Sequence, residues 1–246
     1  MPSLICRTLA IASLAAILPA AQAMADSNIL SILQEGGGNT LTVDQSQASD
    51  SKVGGLSISN TLDSLSLTGQ LDAGALGTSN GTMITSGSRQ MDVLRATSKA
   101  ELPAVQDGSN NSATVTLSGS NGFVGLLQQS PLNGTGNRAT VNVSGNGQAL
   151  VGQLGGNNEA KAILGAGASQ AAILQKGNGN FADLSVTGSN ASGQINQIGN
   201  GLNNSLAVTG ANTSAALIAN GVSNGTSTPV TVQSNGASVT ITQSKM

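Results

Sequence analysis

Histidine, tryptophan and tyrosine are absent from this sequence, and phenylalanine occurs only twice. Without histidine there is no imidazole base, no serine-histidine triad and no histidine metal site. Without large rings, a core must be assembled from Ala, Val, Leu and Ile. Compact cores normally take much of their buried area from aromatic side chains. Smaller ones fit only a thin layer, where two sheets lie close together. Charge is scarce too: Asp, Glu, Lys and Arg make up 8% of the 246 residues, and the net charge is −2. No Lys/Arg run offers nucleic acid an electrostatic footprint. The same shortage removes self-repulsion and permits self-association.

The remaining chemistry is thin. Asp44, Asp50, Asp63 and Asp72 fall at no paired catalytic spacing. Gly36-Gly37-Gly38 lacks the Lys-Ser/Thr of a phosphate-binding loop. Gly177-Asn178-Gly179-Asn180 lacks the Asp that a calcium β-roll repeat requires. We expect no enzyme, no cofactor and no metal site.

Residues 1–25 read as a secretory signal peptide. Arg7 gives a positive start, Leu9 to Ala21 a short apolar run, and Ala21-Gln22-Ala23 and Ala23-Met24-Ala25 two cleavage signals. Cleavage before Asp26 is preferred to cleavage before Met24. The apolar run is too short to span a bilayer comfortably, so no membrane span is expected in the mature chain. The only cysteine, Cys6, precedes that run, the wrong place for lipid attachment. An exported chain without mature cysteine lacks the disulfide staples of small secreted domains, and something else must hold it together.

What is abundant is repetition, the feature to seek first. Gln106 and Gln128 are 22 residues apart, and so are Gln153, Gln175 and Gln197, with Ala219 continuing the series. The step from Gln128 to Gln153 is 25, the excess lying in Ser130-Pro131-Leu132-Asn133-Gly134. A motif Q-x-G-x-x-N rides on the period from Gln34 to Asn39, Gln106 to Asn111, Gln153 to Asn158 and Gln175 to Asn180. After Gln128 the Asn comes later, at Asn137; after Gln197 it is replaced by Leu202. Ala219 loses the Gln but keeps Gly221 and Asn224.

The flanks alternate with period two, the strand signal. Ser169, Ala171, Ile173 and Gln175 share one face; Asn180, Ala182, Leu184 and Val186 share another. The opposite faces carry mostly Ser, Thr, Asn and Lys, such as Thr114, Thr116, Asn142 and Ser185. The residues between Gln and Asn are rich in Gly, Asn and Asp, which tolerate positive φ. Each unit is therefore strand, tight turn, strand, tight turn. The fold class expected is all-β: a two-sheet β-solenoid of stacked units of about 22 residues, cross-β on assembly. Units centre on Gln34, Leu56, Ile84, Gln106, Gln128, Gln153, Gln175, Gln197 and Ala219, with a half-unit of Val239, Ile241 and Gln243. Residues 26–69 hold the N-terminal repeats. The second of these is degenerate, with Lys52 and Asp63 facing inward. Residues 70–99 form a degenerate repeat or a loop, and residues 100–246 the main array.

One unit buries too few aliphatics to offset its own ordering, so units must stack. Rungs about 4.7–4.8 Å apart pair every strand with its neighbours. A buried amide must satisfy two donors and an acceptor, and a column of identical amides one rung apart can do so along the stack. The expected structural amide ladder is Gln34, Asn39, Gln45, Gln106, Asn111, Gln128, Asn137, Gln153, Asn158, Gln175, Asn180, Gln197, Asn224 and Gln243. The alternating segment Val239 to Gln243 lacks a strong cap, and an uncapped edge is a template for another chain.

Ser169 to Asn180 fits S-x5-Q-x-G-x-x-N in full, Gln45 supplies a second Gln eleven residues after Gln34, and Ala113, Ala160 and Ala182 supply the small residue two after the Asn. In these features the chain resembles the curlin family, the subunits of curli fibres, over about residues 28 to 48 and 100 to 243. The resemblance implies a functional amyloid: a homopolymer at the surface of a Gram-negative bacterium, exported through an outer-membrane pore. A second curlin-type subunit as partner, and a role in adhesion and biofilm matrix, are further implications. Two other readings compete. A monomeric β-solenoid adhesin or ice-binding-like protein is suggested by Thr114/Thr116 and Thr240/Thr242, although these pairs do not recur in every unit. A solenoid polysaccharide lyase or hydrolase would need an acid, a base and an aromatic sugar platform that the chain lacks.

Overall fold

The structure is a computed structural model describing residues 27–56, 98–99, 103–165, 167–222 and 229–245. The signal peptide expected at 1–25, Asp63, the unit at Ile84 and Asn224 lie outside the described residues.

The described residues form strands only. In chain order these are β1 (Ile29–Leu30), β2 (Ile32–Glu35), β3 (Thr40–Ser49), β4 (Lys52–Leu56), β5 (Ser98–Lys99) and β6 (Ala104–Asp107). Next come β7 (Ser112–Ser120), β8 (Phe123–Gln129), β9 (Arg138–Ser144), β10 (Gln148–Leu154), β11 (Glu159–Leu164) and β12 (Gln170–Lys176). The last are β13 (Phe181–Val186), β14 (Ser192–Asn200), β15 (Asn203–Thr209), β16 (Ser214–Val222), β17 (Val230–Gln233) and β18 (Ser238–Lys245).

They make two parallel sheets wound as a β-solenoid of about seven turns. One sheet runs β4-β8-β10-β12-β14-β16-β18, with β1, β2 and β6 completing its first layers; we call it the Gln sheet. The other, the Asn sheet, runs β3-β7-β9-β11-β13-β15-β17. The register keeps the period: Gln153 pairs Gln175, Gln175 pairs Gln197, and Ala160 pairs Ala182. The core is the thin layer between the sheets. Val124, Leu126, Val151, Ile173, Ile195 and Leu217 enter from the Gln sheet, and Val115, Val141, Leu184, Leu206 and Val208 from the Asn sheet, all almost fully buried.

Three findings correct the sequence reading. First, the rung of Gln34 stacks directly on that of Gln106, a step of 72 residues in sequence and one layer in space. The layer beneath β8 is composite: Lys52–Gly54 pair with Phe123–Gly125, and Val105–Asp107 with Leu127–Gln129. The strand centred on Leu56 is thus half of the Gln106 rung, and turns aside to pair antiparallel with β5. Second, Lys52 is exposed and Val53 is fully buried, one residue out of step with the alternation read from sequence. Pairing with Val124 dictates that phase, because a slip of one residue would turn every side chain over. Third, the outward side of the Gln sheet is not open, and much of it is apolar. Leu150, Ala172, Leu174, Gln194, Asn196 and Ala216 there are all buried.

Candidate functional site

The Gln-x-Gly turn sets the site's shape. Gly177 has φ +115°, and a Cβ there would strike the carbonyl oxygen of Gly199 in the next rung. Gly155 stands in the same relation to Gly177. Glycine is required because the turns stack closely enough to hydrogen-bond, as Gly177 N–H does to the Leu154 carbonyl at 2.9 Å.

Just inside this turn the glutamines form a continuous column. Gln34 Nε2 donates to Gln106 Oε1 at 2.5 Å, Gln106 to Gln128, Gln128 to Gln153 and Gln153 to Gln175 at 2.8 Å each, and Gln175 to Gln197 at 2.9 Å. From Gln106 onward each amide uses its other hydrogen on a backbone carbonyl of the opposite sheet: Gln153 on Arg138 at 3.0 Å, Gln175 on Glu159 at 2.9 Å, Gln197 on Phe181 at 2.8 Å. These glutamines from Gln106 to Gln197 are fully buried or nearly so. In a low-dielectric layer such bonds are strong and polarise one another.

The asparagines form a second column of opposite sense. Asn39 Oδ1 accepts from Asn111 N–H at 2.9 Å, Asn111 Oδ1 from Asn137 at 3.0 Å, Asn137 Oδ1 from Asn158 at 3.2 Å, and Asn158 Oδ1 from Asn180 at 3.1 Å. Each Nδ2 ties the turn together: Asn158 donates to the Gly177 carbonyl and Asn180 to the Gly199 carbonyl, both at 2.8 Å. Leu202 in the next rung continues the column through its backbone, its N–H donating to Asn180 Oδ1 at 2.9 Å. The missing side-chain amide is therefore tolerated there.

One expected member sits elsewhere, and one joins the column through a bridge. Gln45 lies in a bulge of β3, where the register shifts between Asp44 and Gln47, and donates to the Ser51 carbonyl at 3.1 Å. It belongs to the closing turn of the first rung. Gln243 stacks over Ala219, which has no amide to offer. Asn204 fills that break from the opposite sheet: its Oδ1 accepts from Gln197 Nε2 at 2.7 Å and its Nδ2 donates to Gln243 Oε1 at 2.9 Å. Its fingerprint in sequence was an Asn at the inward position held by Ala113, Ala160 and Ala182 in other rungs.

The outer layers of the stack are open among the described residues. No strand pairs with the far sides of β2, β3, β17 or β18. Gln34 Oε1 has no donor there, and Gln243 Nε2 no acceptor. Four of the five exposed large hydrophobics, Ile29, Leu30, Ile32 and Leu33, lie in the first rung, 36–43% exposed. The threonine pairs form no array. Thr114 and Thr116 lie on the Asn sheet, and Thr240 on the Gln sheet. The Thr114 column continues through Thr140 into Lys161 and Asp183, a surface pair at 3.4 Å. Among the described residues no three His, Cys, Asp or Glu gather as a metal site.

Compared with known proteins, the chain matches no family model, and no curated protein or solved structure shows significant similarity to it.

Proposed function

We propose that the protein is a structural subunit of an extracellular curli-type amyloid fibre, self-assembling at the cell surface for adhesion and biofilm matrix. The observation that carries this reading is the unfinished ladder. A column of amides, buried from Gln106 to Asn204, runs the length of the stack and leaves Gln34 Oε1, an acceptor, at one end and Gln243 Nε2, a donor, at the other. The first rung adds exposed aliphatics, of which Leu30 and Ile32 stack in register on the buried Val53 and Ala104. A second copy set head to tail would extend both sheets, cover those aliphatics and close the amide column. The chain itself is thus the principal partner. Export through an outer-membrane pore, and a second curlin-type subunit as partner, complete the proposal.

Purified mature protein tests it. Assembly after a lag, thioflavin binding and a meridional spacing of about 4.7–4.8 Å are expected. Gln175→Ala with Gln197→Ala should lengthen the lag. A soluble monomer persisting for days at micromolar concentration would overturn the fibre reading in favour of a monomeric surface adhesin. Unchanged kinetics in the double variant would remove the ladder from the mechanism while leaving the fibre.

A further inference from the structure

The longest of the described turns is the loop after Gln128, and a hollow opens beside it. One position before the Asn column, successive rungs carry Asn110, Gly136 and Asn157. Gly136 has no choice of residue, because a Cβ would strike the Asn110 backbone carbonyl. Beside this glycine lies a space of about 300 Å³, lined by Asn110 and Asn157 and reaching Ser112, Arg138 and Glu159 on the outward side of the Asn sheet.

Some of the groups around this hollow are spent and others are not. Asn110 Nδ2 donates to the Gly134 carbonyl at 3.1 Å, bracing the loop. The Asn157 side-chain amide has no hydrogen-bond partner among the described residues. Arg138 and Glu159 are register neighbours on adjacent strands. They make no ion pair with each other; the pair formed on this face is Lys161 with Asp183. Phe181 follows Glu159 in the same column and is partly exposed. It is one of only two phenylalanines in the chain.

We propose that this hollow binds one residue of a neutral, hydroxyl-rich glycan, with the next sugar resting against Phe181. The chemistry selects that class. A guanidinium and a carboxylate side by side cancel as a field, so neither an anion nor a cation is strongly drawn. Together with a free amide, however, they supply both donors and acceptors for adjacent hydroxyls. A partly exposed ring one strand further, about 4.8 Å away, offers an apolar face to a pyranose. The site lies on the side of the Asn sheet, away from the stack ends, so it does not depend on fibre formation.

Freshly desalted full-length mature protein, titrated calorimetrically with cellohexaose and with chitohexaose, tests this. Saturable binding of at least one is expected. Arg138→Ala and Asn157→Ala, both at exposed positions, should each weaken it about tenfold or more, the loss of roughly one good hydrogen bond. Lys161→Ala on the same face should leave it unchanged, and circular dichroism should show the strand content of all three intact. Three results would overturn the proposal. One is no heat from either hexaose at millimolar concentration. Another is binding that survives both substitutions. The third is binding confined to a sulfated oligosaccharide and abolished by salt, which would make Arg138 a plain anion site.

Discussion

The two sheets of this solenoid share a period and a core yet obey different rules. Strands of the Asn sheet alternate: in β13, Ala182, Leu184 and Val186 are buried while Phe181, Asp183 and Ser185 remain partly exposed. Strands of the Gln sheet do not: in β12 every residue from Ala171 to Gln175 is buried. The sequence carries the difference. Asp, Ser and Lys recur outward on the Asn sheet, whereas Leu150, Ala172, Leu174 and Ala216 recur outward on the Gln sheet. A strand buried on both sides reads as a continuous apolar run, and one buried on a single side reads as an alternation. The Asn sheet is thus the wetted wall of the solenoid, where a soluble ligand has access. The Gln sheet is the dry wall, where a polar side chain must find a partner or destabilise the fold.

The strongest test of that dryness is the ladder. Changing Gln153 to Leu would strand three groups at once: the Gln128 Nε2 hydrogen, Gln175 Oε1 and the Arg138 carbonyl. At about 1–3 kcal/mol for each buried unsatisfied group, we expect a loss of about 3–9 kcal/mol by denaturant titration. Loss of less than about 1 kcal/mol would mean that water reaches the column. The contrast with Ala219 is instructive, since that natural gap is bridged by Asn204 and leaves nothing stranded.

Next in size is the one-sidedness of the Asn sheet. Leu184→Ala removes a fully buried side chain and should cost about 2–5 kcal/mol. Its neighbour Ser185→Ala faces outward and should stay within about 0.5 kcal/mol. Similar costs for the two would show that the wetted wall is covered after all. A smaller effect of opposite sign belongs to the dry wall. Gln194 is fully buried on its outward side, and neither its Nε2 nor its Oε1 has a hydrogen-bond partner. Gln194→Leu removes that penalty and should stabilise the protein by about 1–3 kcal/mol. A lower melting temperature in this variant would mean that the amide is paired in solution.

The same contrast explains what was legible in the sequence. The period, the two-sheet solenoid and the positions of Gln106, Gln128, Gln153, Gln175, Asn158 and Asn180 could be read because identical residues recur at nearly equal spacing. Spacing, however, does not name partners. The 72-residue step from Gln34 to Gln106 was hidden because β4 and β6, far apart in sequence, complete one layer of the Gln sheet. Lys52 was assigned inward because the phase of alternation was counted from a centre at Leu56; pairing with Val124 fixes it at Val53 instead. The outward apolar residues were passed over because alternation was taken as the rule for both strands of a unit. Asn204 was missed because nothing in a one-dimensional repeat signals that an amide on one sheet must replace an amide lost from the other.

The smallest effect concerns the first rung, where the Asn sheet loses its regularity. The bulge in β3 is braced by Asp44, whose Oδ1 accepts the Ser46 backbone N–H at 2.9 Å. That bond and a second from the Ser46 side chain favour the ionised carboxylate and lower its pKa from the ordinary value; burial opposes them weakly. A carboxyl with a lowered folded-state pKa contributes stability above its unfolded pKa and loses it as pH falls through the folded one. The contribution should therefore be full at neutral pH and vanish in the acid range below the ordinary Asp value. Because Asp44 is exposed, solvent screening keeps it small. Asp44→Asn keeps an acceptor for Ser46 but cannot ionise. Its stability should match that of the unchanged protein at low pH and fall slightly below it at neutral pH. No difference at any pH would mean that the bulge is held by its backbone pairing alone, and that Gln45 owes its place in the closing turn to its bond with Ser51 and to nothing at Asp44.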